Sequence, residues 1–143
     1  MTLASESNIK STCVFGASDG LVAAIALILA TSSHGSRIVL AALLGLLVAE
    51  GLGMAASEFL SDPKMDLRQA AVMGLSTSLA IIGPGIPWFF TKGSPALLGS
   101  GVIAVCLASV IAWVRPGGWS TWGTTFGVLT IVAAIAAGAG HIA

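Results

Sequence analysis

Arg37–Ser61 reads RIVLAALLGLLVAEGLGMAASEFLS. A helix needs about 20 apolar residues to cross the hydrocarbon core of a bilayer. This stretch has that length, and between its ends only Glu50 and Glu58 are charged. The remainder of the chain repeats the plan. Four polar breaks, Ser32–Arg37, Ser61–Arg68, Thr91–Pro95 and Arg115–Gly118, each hold a charge or a helix breaker, as helix termini should. They divide the sequence into apolar segments at 12–33, 37–61, 69–91, 95–114 and 119–141, after a polar N-terminal tail at 1–11. The expectation is an all-α membrane protein, residues 12–142 forming one domain of five transmembrane helices.

Composition agrees. The 143 residues are 56% hydrophobic and 8% charged, with mean hydropathy +0.99, against about 25% charged in soluble domains. Six basic and six acidic residues cancel, which leaves no electrostatic footprint for nucleic acid. No phosphate loop, nucleophile elbow or paired histidine is present, so an enzyme is not expected. Lys10 followed by an apolar run has the outline of a signal peptide, but Asp19 inside the run argues against one. Cys13 and Cys106 fall in apolar segments without metal-ligand spacing and read as small core residues. His34 and His141 read as polar termini.

Basic residues concentrate in cytoplasmic loops. An N-terminus inside puts Lys10, Lys64, Arg68 and Arg115 in the cytoplasm against Arg37 and Lys92 outside. That sets the C-terminus on the outer or lumenal side. Small residues on a four-residue repeat permit close helix approach in lipid. Gly45, Ala49, Gly53, Ser57 and Ser61 make such a stripe, as do Ser100, Ala104, Ala108 and Ala112, and the pair Gly123 and Gly127. All are read as packing faces. Gly83-Pro84-Gly85-Ile86-Pro87 must break or kink the third helix near its end.

Three carboxylates are kept inside the apolar segments. Glu50 is ~16 Å or more from either end of its helix at 1.5 Å per residue, close to the bilayer midplane. A charged acid there costs about 3 kcal/mol, so intramembrane carboxylates generally face a bundle interior or an aqueous path and have a job; the alternative is a protonated Glu50 hydrogen-bonded to a neighbouring helix. Asp19 enters roughly a third to half of the way across, or else caps a helix that starts late, at Gly20; Glu58 is nearer the cytoplasmic surface, as an entrance ligand or a plain interfacial charge. Glu50, Met54 and Glu58 are successive i, i+4 positions on one helical face. Oxygen, thioether and oxygen in a row suit a late first-row divalent metal better than a hard ion.

Around these residues the sequence resembles the vacuolar iron transporter family, which includes plant nodulin-like and many bacterial members. The likeness rests on Asp19-Gly20-Leu21 in the first helix and on Gly53-Met54 with Ser57-Glu58-Phe59-Leu60-Ser61 in the second. Met73-Gly74 and Ile86-Pro87 extend it into the third. The resemblance implies a homodimer of five-helix protomers in a bacterial plasma membrane. It implies export of ferrous iron or manganese from the cytoplasm by proton antiport, the metal being cargo and no cofactor being resident. Asp19 and Met54 would be the membrane-embedded ligands, and Glu58 would stand at the cytoplasmic approach. In two respects the chain departs from the pattern. A glutamate-rich metal-collecting domain joins the second and third helices of the best-known members, where this chain has only Asp62–Arg68. A pore glutamate of some members is replaced by Leu46, with Glu50 one turn closer to Met54. The competing expectations are a non-transporting assembly protein or degenerate relative, and an organic-cation carrier.

Overall fold

The computed structural model describes residues 3–61, 66–115 and 119–142, for the last helix chiefly its backbone. Every element in it is helical. Helix α1 spans Leu3–Thr31, α2 Ser36–Ser61, α3 Leu67–Gly85, α4 Pro87–Phe90, α5 Ser94–Val114 and α6 Trp119–Ile142, with a single 3-10 turn at Ser32–His34. The expected segments and these helices agree closely, because apolar length and breakers determine both. The segment read as a polar tail differs, being helical from Leu3 onward and continuous with α1. Lys64 and the breaks at 62–65 and 116–118 lie outside the described residues.

Turns are made by local chemistry. Gly35 and Gly93 adopt positive φ, 91° and 62°, at the entries to α2 and α5, where a side chain would be strained. The carboxylate of Asp66 caps α3 by accepting from the Arg68 backbone N–H at 2.9 Å, which satisfies one of the donors a helix start leaves open.

The stretches Ile9–His34, Ser36–Ser61, Leu67–Phe90 and Ser94–Val114 are long and apolar enough to cross a membrane. They mark the chain as an integral membrane protein. In α6 the described apolar run is the shorter Trp122–Val132. Large apolar side chains such as Leu52, Leu60, Leu79, Leu98 and Trp113 are exposed on the outside of the bundle, as lipid contact requires. Half of the α3 span is buried, against 28% or less for the other three, so α3 is the hub. Helices α1 and α2 both pack on it, while α5 and α6 close over α1.

Two apolar clusters hold the bundle. One gathers Ala24, Ile28, Val39, Leu43, Ile81, Trp88 and Ala96, joining the late part of α1, the early part of α2, the α3–α4 junction and the start of α5. This is the Trp88 end. The other gathers Leu21, Ala80, Ala104, Ala108 and Ile111, with Val14 and Phe126 packed against it. The opposite end of the bundle carries Lys10 and Arg115.

The proline break is real but shallow. Pro84 and Pro87 each lack the N–H that would close a helical turn, and α3 stops at Gly85, with Ile86 still in helical geometry. The Ile86 N–H reaches both Ile82 O at 3.1 Å and Gly83 O at 3.2 Å, so the chain resumes as α4 with little interruption. Ser100 pins the break from outside. Its hydroxyl accepts from Trp88 Nε1–H at 2.9 Å and donates to Pro84 O at 2.6 Å, with Ala96 O at 3.0 Å also in reach.

The small-residue stripes have opposite fates. Ser100, Ala104, Ala108 and Ala112 are all buried, as their spacing suggests. Gly45, Ala49, Gly53, Ser57 and Ser61 are all exposed, and nothing approaches within 4 Å of where a Cβ would sit on Gly45 or Gly53. Among the described residues nothing covers that stripe. Gly123 and Gly127 are likewise open. The close approach of α2 to α3 is instead made through Gly51 and Gly74. A Cβ on Gly74 would stand 2.6 Å from Gly51 O and 2.8 Å from Ala55 Cβ, too close for any side chain there. Cys13 and Cys106 are exposed on their helices rather than in the core.

Candidate functional site

The core-facing row of α2 changes character along its length. At ~100° per residue, Leu43, Leu47, Glu50, Met54 and Glu58 fall within ~80° of one another. Leu43 is buried, and Leu47 packs against the Trp88-end cluster. The same face therefore passes from leucine to Glu50, Met54 and Glu58, each half-buried. Gly51 and Ala55 on the adjoining flank take the contact with α3.

On α1 the contact with α3 is made by Gly16 and Gly20. A Cβ on Gly16 would strike Ser76 and Thr77, and one on Gly20 the Thr77 backbone. Asp19 lies ~60–100° around the helix from these glycines, on the flank opposite Leu21, and is half-buried. Leu21 turns the other way, into the cluster shared with α5.

At the Lys10–Arg115 end, α1, α2 and α3 are joined by one side chain. The Gln69 amide donates from Nε2 to Glu58 Oε1 at 2.8 Å and to Thr12 Oγ1 at 3.2 Å. This bridge supplies a common level from which depth can be counted on two antiparallel helices. Met54 is then ~6 Å deeper than Glu58, Asp19 ~10 Å deeper than Thr12, and Glu50 ~12 Å deeper than Glu58. Asp19 and Glu50 thus reach nearly the same depth on different helices. The predicted residues form a ladder along the bundle, not a cage. Among the described residues, no three of the histidine, cysteine, aspartate and glutamate side chains gather as a metal site.

Gln69 and Thr12 are the members sequence reasoning missed. Both sit at segment starts, where a polar residue reads as a terminus. The signal available was an amide already inside an apolar segment, which must find partners there. Of the two histidines, His34 meets only the hydroxyl of its neighbour Ser33, Oγ to Nδ1 at 3.0 Å, and the side chain of His141 lies outside the described residues. With this geometry in view the chain was compared with known proteins. No family model matches it, and no curated protein or solved structure does so either.

Proposed function

We propose that this protein is a five-helix carrier that exports a divalent transition metal, ferrous iron or manganese, from the cytoplasm in exchange for protons. The observation that carries the reading is the change along α2 from Leu43 and Leu47 to Glu50, Met54 and Glu58, together with Asp19 at the depth of Glu50. Apolar helices that retain half-buried acids at mid-depth do so against a cost of about 3 kcal/mol per charge. An ion path is the use that offsets it.

In this reading Asp19 and Met54 bind the metal, and Glu50 takes a proton or serves as a second ligand. Glu58, held by Gln69, receives metal from the cytoplasm. Coupling follows from competition, since a carboxylate oxygen that binds metal must first release its proton. Helix α6, 24 residues long, supplies the fifth crossing at ~36 Å. The N-terminus is cytoplasmic, with Lys10, Arg68 and Arg115 on the inner side. A second copy packs on the open Gly45–Ser61 stripe of α2, because small residues exposed at four-residue spacing are the usual contact between membrane helices. One protomer offers few donors, and the partner's equivalent face would complete the coordination.

The test is reconstitution in liposomes under an imposed pH gradient, following ferrous iron and manganese together with proton flux. Metal-dependent proton movement is expected for the native chain and its loss for Glu50→Gln, with oligomeric state unchanged. The same exposed stripe favours one other reading, an assembly protein that docks helices without transport. Absence of metal-dependent flux in the native chain, with Glu50→Gln altering only oligomer stability, would select it.

A further inference from the structure

On the flank of α1 next to Asp19, a cavity of about 670 Å³ opens between α1 and the end of α5, lined by Lys10, Ser11, Ser18 and Arg115 with Val14 and Phe15 among its apolar walls. A second space of about 90 Å³ adjoins it, sharing Ser18 and Arg115 and continuing between Leu21, Val22, Ile111 and Val128, with Thr124 and Thr125 also on its wall. The two are parts of one cleft whose chemistry changes with depth. Lys10 stands at the start of the first membrane-crossing stretch and Arg115 just past the end of the fourth, the level of lipid headgroups. Ser18 is ~12 Å and Val22 ~18 Å further along α1, in the hydrocarbon.

Both cations are exposed, and among the described residues neither side chain has an ion-pair or hydrogen-bond partner. No carboxylate among the described residues lines either part of the cleft. Arg115 is positioned by its backbone, whose N–H bonds Ile111 O at 3.1 Å as the C-cap of α5. Two cations and the Ser11 hydroxyl at headgroup level, above a mainly apolar slot leading inward, match an amphiphile with an anionic head. A free phosphate would leave the slot unused. We propose that this cleft binds an anionic phospholipid, its phosphate between Lys10 and Arg115 and one acyl chain along Leu21, Val22, Ile111 and Val128. Basic pockets between membrane helices recognise lipid heads in this way. The site is separate from the carboxylate ladder and does not depend on the transport reading.

Native mass spectrometry of the full chain in detergent tests the proposal, with dioleoylphosphatidylglycerol, dioleoylphosphatidylcholine and inorganic phosphate as probes. Phosphatidylglycerol should be retained in preference to phosphatidylcholine. The preference should fall about fivefold with Lys10→Gln or Arg115→Gln and about 25-fold with both, on the scale of one cation at a membrane surface. Lys10→Arg with Arg115→Lys should preserve it, as should Lys92→Gln at the opposite end, which controls for general loss of charge. Val22→Trp, which fills the slot and leaves both cations, should weaken phosphatidylglycerol without creating a preference for phosphatidylcholine. Equal retention of the two lipids overturns the proposal, as does a preference indifferent to the double substitution. Full displacement of phosphatidylglycerol by millimolar phosphate, or its undiminished binding to Val22→Trp, would reduce the site to a surface anion patch and overturn the lipid assignment.

Discussion

The two ends of the α1–α2–α3 layer are built from the same helices with opposite chemistry. At the Trp88 end, α1, α2 and α3 meet through Ala24, Ile28, Val39, Leu43 and Ile81, and the polar groups of Trp88 and Ser100 are consumed in holding the proline break. At the Lys10–Arg115 end the same helices meet through Thr12, Gln69 and Glu58. The difference teaches that the bundle is held by apolar packing at one end and tied by side-chain hydrogen bonds at the other. The carrier reading proposed above calls for such an asymmetry, with the apolar end the one farther from Glu58.

The comparison can be broken by substitution, and stability and flux should respond in opposite order. Trp88→Ala has the largest expected effect on stability, about 3–5 kcal/mol, because it empties a fully enclosed aromatic site. Thermal unfolding in detergent should show it as a clear fall in midpoint. Ser100→Ala comes next at about 1–3 kcal/mol, since it strands the buried Trp88 N–H and frees Pro84 O. Denaturant unfolding measures it, and an effect on stability below that of an exposed serine substitution would mean the proline break holds itself. Gln69→Leu should cost least, about 1 kcal/mol, because the half-buried Glu58 can turn to water. Yet, on the transport reading proposed above, it should lower metal flux in liposomes more than Ser100→Ala does, by releasing Glu58 from its place. Equal flux in Gln69→Leu and the native chain would separate Gln69 from the path.

Much of this was legible beforehand. The helix bounds follow from apolar length and from breakers such as Gly35 and Gly93, which act locally. The depth of Glu50 follows from counting residues. What the sequence leaves open is which way a helix faces. The Ser100–Ala112 and Gly45–Ser61 stripes have the same spacing, but one is buried and the other exposed, because in lipid the inside and the outside of a bundle are equally apolar. Cys13 and Cys106 illustrate the same ambiguity, being exposed in segments where a soluble protein would bury them. Periodicity of polarity, which orients helices in water, has little to act on here. The Gln69 bridge was hidden for another reason. It joins residues 57 positions apart in sequence, and no local pattern carries such a pairing.

The hydrogen bond from Trp88 to Ser100 also gives the protein an optical gauge. Of its four tryptophans, Trp88 is 2% exposed, whereas Trp113 is 80% exposed on the surface that faces lipid. A brominated acyl chain should quench Trp113 readily and leave Trp88 emitting. Emission from Trp88 that shifts to the red, or becomes open to an aqueous quencher, would report the moment when the Trp88 end admits water.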